Sequence, residues 1–117
     1  MKDIQEKTGV FLLTGERLEG YRIAEYYGLV NGQSVMGANF IKDYMAGIAD
    51  KFGGRAKGYE EALDGAVNVA LEQMAIRARD SGANAVIAID IDTGGIHETM
   101  LMASCYGTAV LVEQIKI

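Results

Sequence analysis

Asp90, Asp92 and His97 are the residues whose types and spacing could do chemistry. Two carboxylates and an imidazole can hold a divalent ion such as zinc or manganese. The acids close the stretch AVIAIDIDTGG, residues 85–95. Two residues apart on a strand, they share a face. If Gly94-Gly95 is a two-residue hairpin turn, Asp92 faces His97 and Asp90 faces Thr99. The acids and the chain's single histidine would then gather at one end of the hairpin. The competing reading is a solvated hairpin tip whose acids block edge-to-edge pairing.

Cys105 suggests a soft-metal ligand, but on this register it lies about 20 Å along the strand from Thr99, at ~3.4 Å per residue. Met100 and Met102 differ from Cys105 in parity, so they point to the other face and pair with Ile89 and Ile87 as core. Packing is therefore the expected role of all three. GGRAKGY, residues 53–59, is a glycine-rich helix entry with Arg55 and Lys57. Such an entry can hold an anion on backbone N–H groups. It lacks the Lys-Ser/Thr of a P-loop, and a plain turn between helices is the simpler account. No base is placed near Cys105 or Ser104, so catalysis would need a site shared between subunits.

The elements that must position these residues follow from hydrophobic spacing. Val10 to Leu13 reads as a short strand or an arm, within an N-terminal segment 1–18. Tyr21 to Val30 is rich in β-formers. Asn31-Gly32 then predicts a hairpin, with a second arm in QSVM and an end at Gly37. One of Tyr26 and Tyr27 is expected to be buried and the other to meet a second subunit. Asn39 is a candidate N-cap for a helix whose apolar face is Phe40, Ile41, Tyr44, Met45, Ile48 and Phe52.

A longer helix is predicted from about Tyr59 to Asp80. Its stripe is Leu63, Ala66, Val67, Ala70, Leu71, Met74 and Ala78, with Gly82 as the C′ residue. Strands follow over 83–93 and 99–112. In the first of these, Ala85, Ile87, Ile89 and Ile91 share one face, and Val86, Ala88, Asp90 and Asp92 the other. The expected fold is α+β, a small antiparallel-rich sheet with two helices in ββααββ order, as one domain over 1–117.

Composition narrows the function class. Half the chain is apolar and its net charge is −5. Basic residues are scattered among acids, which argues against nucleic acid as a partner. No stretch is long and apolar enough to span a bilayer, and the first residues lack a signal-peptide core. The single cysteine fits a reducing compartment, so a cytoplasmic location is expected.

The blocks MGAN, FGGRAKGYEEAL, GANAVIAIDID and MLMASCYGTAV, in this order, resemble the YbjQ-like family of small bacterial and archaeal proteins. The resemblance covers roughly residues 19–112. It implies an α+β subunit that assembles into a pentameric ring, carries a heavy-metal-binding label, and implies no established reaction. Asn84 stands where the family commonly has Asp, and Cys105 where it commonly has a small aliphatic residue. The second departure argues against placing the metal label on the thiol. Three function classes result. The first is an oligomeric binding module for a divalent metal ion or a small ligand, with Asp90, Asp92 and His97 as ligands. The second is a structural ring with no ligand of its own. The third is an enzyme with an intersubunit site.

Overall fold

The structure, a computed structural model, describes residues 2–37, 55–96 and 100–116. Within them the order is α1 (Lys2–Thr8), β1 (Phe11–Leu12), β2 (Tyr21–Met36), α2 (Arg55–Asp80), β3 (Ala85–Ile96) and β4 (Met100–Gln114). The strands form one mixed sheet in the order β1-β3-β4-β2. β1 runs parallel to β3, and β4 pairs antiparallel with both β3 and β2. The expected helix around residues 40–52 lies outside the described residues, as does its cap Asn39. The N-terminal helix α1 was not expected. It ends at Gly9, whose φ is +73° and whose N–H donates to the Gln5 carbonyl.

α2 begins four residues earlier than the spacing predicts, so Arg55 to Gly58 belong to the helix and not to a loop. Along it Gly58, Ala62, Ala66, Ala70, Met74 and Ala78 recur every four residues, and all are buried. Leu71 and Ala75 widen this stripe, and Leu63 and Val67 pack at its margin. Small residues in the row let the helix backbone come close to the sheet. The helix stops as predicted at Gly82, φ +104°. Ala83 N–H donates to the Ala78 carbonyl and Gly82 N–H to the Arg79 carbonyl, which together form a Schellman closure.

The close approach explains why Asn31-Gly32 is not a turn. β2 runs unbroken through both residues, pairing Asn31 with Tyr106 and Gly32 with Cys105. The φ of Gly32 is not positive. A Cβ built on Gly32 would overlap the Ala70 carbonyl oxygen and lie 2.9 Å from both the Ala70 carbonyl carbon and the Met74 nitrogen. Glycine is required here by the helix lying across the strand, and not by turn geometry.

Gly94-Gly95 is likewise strand. β3 continues to Ile96, with Gly94 opposite Met102, Gly95 opposite Leu101 and Ile96 opposite Met100. The expected register would have set Ile91 against Glu98. The observed one sets Ile91 against Cys105, so that apolar residues of both strands share the face under α2.

β3 also changes face part-way. Its ladder with β4 slips between Ile87 and Asp90, and Ala88 there takes φ +54°. This bulge moves Ile89 and Ile91 to the helix side with Val86, while Ile87 packs on the opposite side with Ala85, Val110 and Val112. Simple alternation had put Ile87 and Ile89 together. The freed Ala88 N–H donates to the Gly15 carbonyl, and Ile89 N–H to the Leu13 carbonyl, tying the β1–β2 loop to the bulge.

Candidate functional site

The bulge carries Asp90 and Asp92 onto the sheet face that α2 does not cover. Directly across β4 and on to β2, the pairings give three rows: Asp90, Tyr106, Asn31; Asp92, Ser104, Gln33; Gly94, Met102, Val35. Both acids are exposed. Asp90 Oδ2 accepts a hydrogen bond from the Tyr106 hydroxyl at 2.8 Å, and Oδ1 accepts one from the Ile91 N–H at 3.1 Å. The hydrogen bond to Asp90 raises the Tyr106 phenol above its ordinary value of 10.0, helped by the negative charge of Asp90, some desolvation and the charge of Asp92. Tyr106 therefore stays a proton donor at neutral pH, and each Asp90 oxygen already holds a donor.

His97 lies outside the described residues. The register that would have set it opposite Asp92 is not the one found, since Asp92 faces Ser104. Asp92 precedes Ile96 by four residues, roughly 13 Å of extended strand. Among the described residues no three His, Cys, Asp or Glu side chains are grouped to hold a metal ion.

Cys105 is nearer the acids than expected along the strand, because it pairs with Ile91, the residue between them. The face, and not distance, separates it from them. Its side chain is buried under α2, and its Sγ–H lies 3.7 Å from the Gly32 carbonyl oxygen. Burial pushes the thiol up, partly offset by that contact. A thiol held protonated is a poor metal ligand and nucleophile, so packing is its role as expected.

Met100 and Met102 do face away from Cys105, but they are not core. Met102 is exposed and Met100 half-buried on the uncovered face. Neither Tyr26 nor Tyr27 is buried; the Tyr27 hydroxyl donates to Glu25 Oε2 at 3.0 Å. Sequence reasoning passed over Tyr106, although its parity with Ser104 and Met102 places it on the face of the acids. The glycines of the anion-binding candidate, Gly53 and Gly54, lie outside the described residues.

A family model described as "Putative heavy-metal-binding" matches residues 10–113. The chain belongs to the YbjQ-like family. It is 44% identical over 104 residues to a UPF0145 protein of Carboxydothermus hydrogenoformans, covering 89% of this chain and 97% of that protein. A crystal structure of a protein of unknown function of the DUF74 family, from Pediococcus pentosaceus, matches with a TM-score of 0.53 at 19% identity. That match covers 90% of this chain and 99% of the other. It supports the fold alone, a small α+β unit with a curled mixed sheet and two helices.

Proposed function

We propose that this YbjQ-like chain is a cytoplasmic homo-oligomeric binding module, a pentameric ring whose subunit contacts border Asp90 and Asp92. The observation that carries the reading is the sheet face opposite α2, which no described element covers around Leu29 and Val35. On it Leu29 is 84% exposed and Val35 55%, with Tyr106 and Met102 beside them. They form two exposed apolar spots on either side of the polar row Asp92, Ser104 and Gln33, and a second subunit laid across that row would cover both. The subunit is also extended: its Cα radius of gyration is 16.5 Å, against about 13–14 Å for a compact chain of this length. Long strands that reach past their own core suit a partner.

The two sheet edges differ. β2 forms one edge, and β3 beyond its short pairing with β1 forms the other. Contacts between unlike surfaces are head-to-tail and give rings where the rotation between neighbours closes. The count of five comes from the family resemblance. In such a ring Asp90, Asp92 and His97 of neighbouring subunits would converge as ligands for a divalent metal ion. The second reading, a ring with no ligand of its own, is favoured by the donors that already occupy both Asp90 oxygens.

Light scattering tests the assembly. Leu29→Asp with Val35→Asp is expected to give monomers; a parent chain that is a stable monomer at micromolar concentration would end the proposal. Zinc calorimetry then separates the two readings. On the metal reading Asp90→Asn with Asp92→Asn abolishes binding, Cys105→Ser leaves it intact, and affinity falls with pH as protons compete for the ligands. A parent ring that takes up no zinc supports the ligand-free reading.

A further inference from the structure

The loop between β1 and β2, residues 13–20, runs along the first half of β3, as far as the bulge that precedes Asp90. It is anchored along its length. Leu13 N–H donates to the Val86 carbonyl, Ala88 N–H to Gly15, Tyr21 N–H to Leu18 and Ile115 N–H to Gly20, all within 3.1 Å. Below it the Tyr21 ring is set edge-on against Phe11, with centroids 5.6 Å apart. Between this loop and β2 a cleft of about 720 Å³ remains. That is the size of a small-molecule site, for which about 300–1,000 Å³ is typical.

The lining is amphipathic. Leu18, Ile23, Ile87 and Val112 give an apolar floor, and Tyr26, 69% exposed, offers a ring at the side. Arg17, Arg22 and Glu16 stand at the mouth. Arg22 is committed to Glu113 across the β2–β4 ladder. Arg17 has no ion-pair partner among the described residues. Its guanidinium is a fork of donors suited to a carboxylate. Glu16 beside it repels a second negative charge. Apolar body, single anionic head and aromatic contact together define one class of ligand.

We infer that this cleft binds a small monocarboxylate with an aromatic or short aliphatic body, its carboxylate on Arg17 and its apolar part on the floor beside Tyr26. The site lies on the same sheet face as the acids, toward the start of β3, and uses neither Asp90 nor Asp92, so it does not depend on any metal there. Its floor is preformed by the second apolar cluster, so little ordering opposes binding.

The test uses the full chain and 2-naphthoate, titrated by calorimetry and by ligand-observed NMR, with 2-naphthylmethanol as the uncharged counterpart. Saturable binding of naphthoate at one per subunit is expected. Arg17→Gln should weaken naphthoate by about tenfold or more, as loss of a charge-assisted bidentate contact does, and leave naphthylmethanol unchanged. Tyr26→Ala should weaken both. Both side chains are exposed, so each variant should melt like the parent by circular dichroism. Leu29→Asp, on the uncovered face, should bind naphthoate normally even if it breaks the ring. The inference is overturned if the parent shows no saturable binding at millimolar naphthoate, or if Arg17→Gln binds it as tightly as the parent. It is equally overturned if light scattering shows that either cleft variant dissociates the assembly, because the cleft would then hold a second copy of the chain.

Discussion

Gly32→Ala should be among the most damaging single-methyl additions available in this protein. The methyl would lie inside the Ala70 carbonyl oxygen and 2.9 Å from the Ala70 carbonyl carbon and the Met74 nitrogen. All three atoms are helix backbone, which cannot swing aside as a side chain can. An ordinary contact needs about 3.4–4 Å, so α2 must retreat by more than about 1 Å to clear the overlapped carbonyl oxygen. That retreat would loosen Ala66, Ala70 and Met74 on the sheet at once. Overpacking costs typically ~1–3 kcal/mol, and rigid backbone on both sides puts this case at the upper end, about 3 kcal/mol. For a chain of this size that lowers Tm by about 10 °C. Gly94→Ala is the control. It sits in the same sheet with open space around the new methyl, and should be neutral or stabilising by up to about 1 kcal/mol. The assay is urea and thermal unfolding of both variants at one fixed protein concentration, since oligomerisation makes Tm concentration-dependent. A Gly32→Ala protein that unfolds with the parent would refute the close helix–strand contact.

The Cys105 thiol has a folded-state pKa above its ordinary value of 9.0, so its contribution to stability is complete below pH 9 and is lost as pH rises through the folded value; Cys105→Ala, compared by urea unfolding, should show a flatter loss of stability at alkaline pH than the parent. Asn84 donates from Nδ2 to the Val112 carbonyl at 2.9 Å and accepts from the Val112 N–H at 2.7 Å, so Asn84→Ala should destabilise by about 1–3 kcal/mol in denaturant titration. Ala88 holds φ +54°, a region costing an L-residue about 1–2 kcal/mol, so Ala88→Gly should match or exceed the parent in Tm; a clear drop would mean the bulge is misplaced.

Much of this architecture was legible because it depends on periodicity. The α2 stripe, its end at Gly82 and the burial of Cys105 all follow from spacing of 3.6 or 2 and from local capping chemistry. What failed were the two hairpin-turn inferences. Asn31-Gly32 and Gly94-Gly95 carry turn chemistry, but glycine serves equally where a backbone approaches closely, and sequence does not distinguish the two uses. Gly32 is explained by the backbone of Ala70 and Met74, about 40 positions away in the chain. The bulge at Ala88 was illegible for a related reason. Alternation assumes a regular strand, and the residue that breaks it is an alanine, with no local mark of positive φ. Its signal is non-local: the amides it releases bond to Gly15 and Leu13. This single irregularity decides what the acids can do. Without it Asp90 and Asp92 would lie on the side of α2, over the apolar core, where two unpaired carboxylates would be costly. With it they stand exposed to water beside Tyr106, on the face that α2 does not cover. Residue types single out the two acids, and the tertiary contacts of one alanine determine which sheet face they occupy.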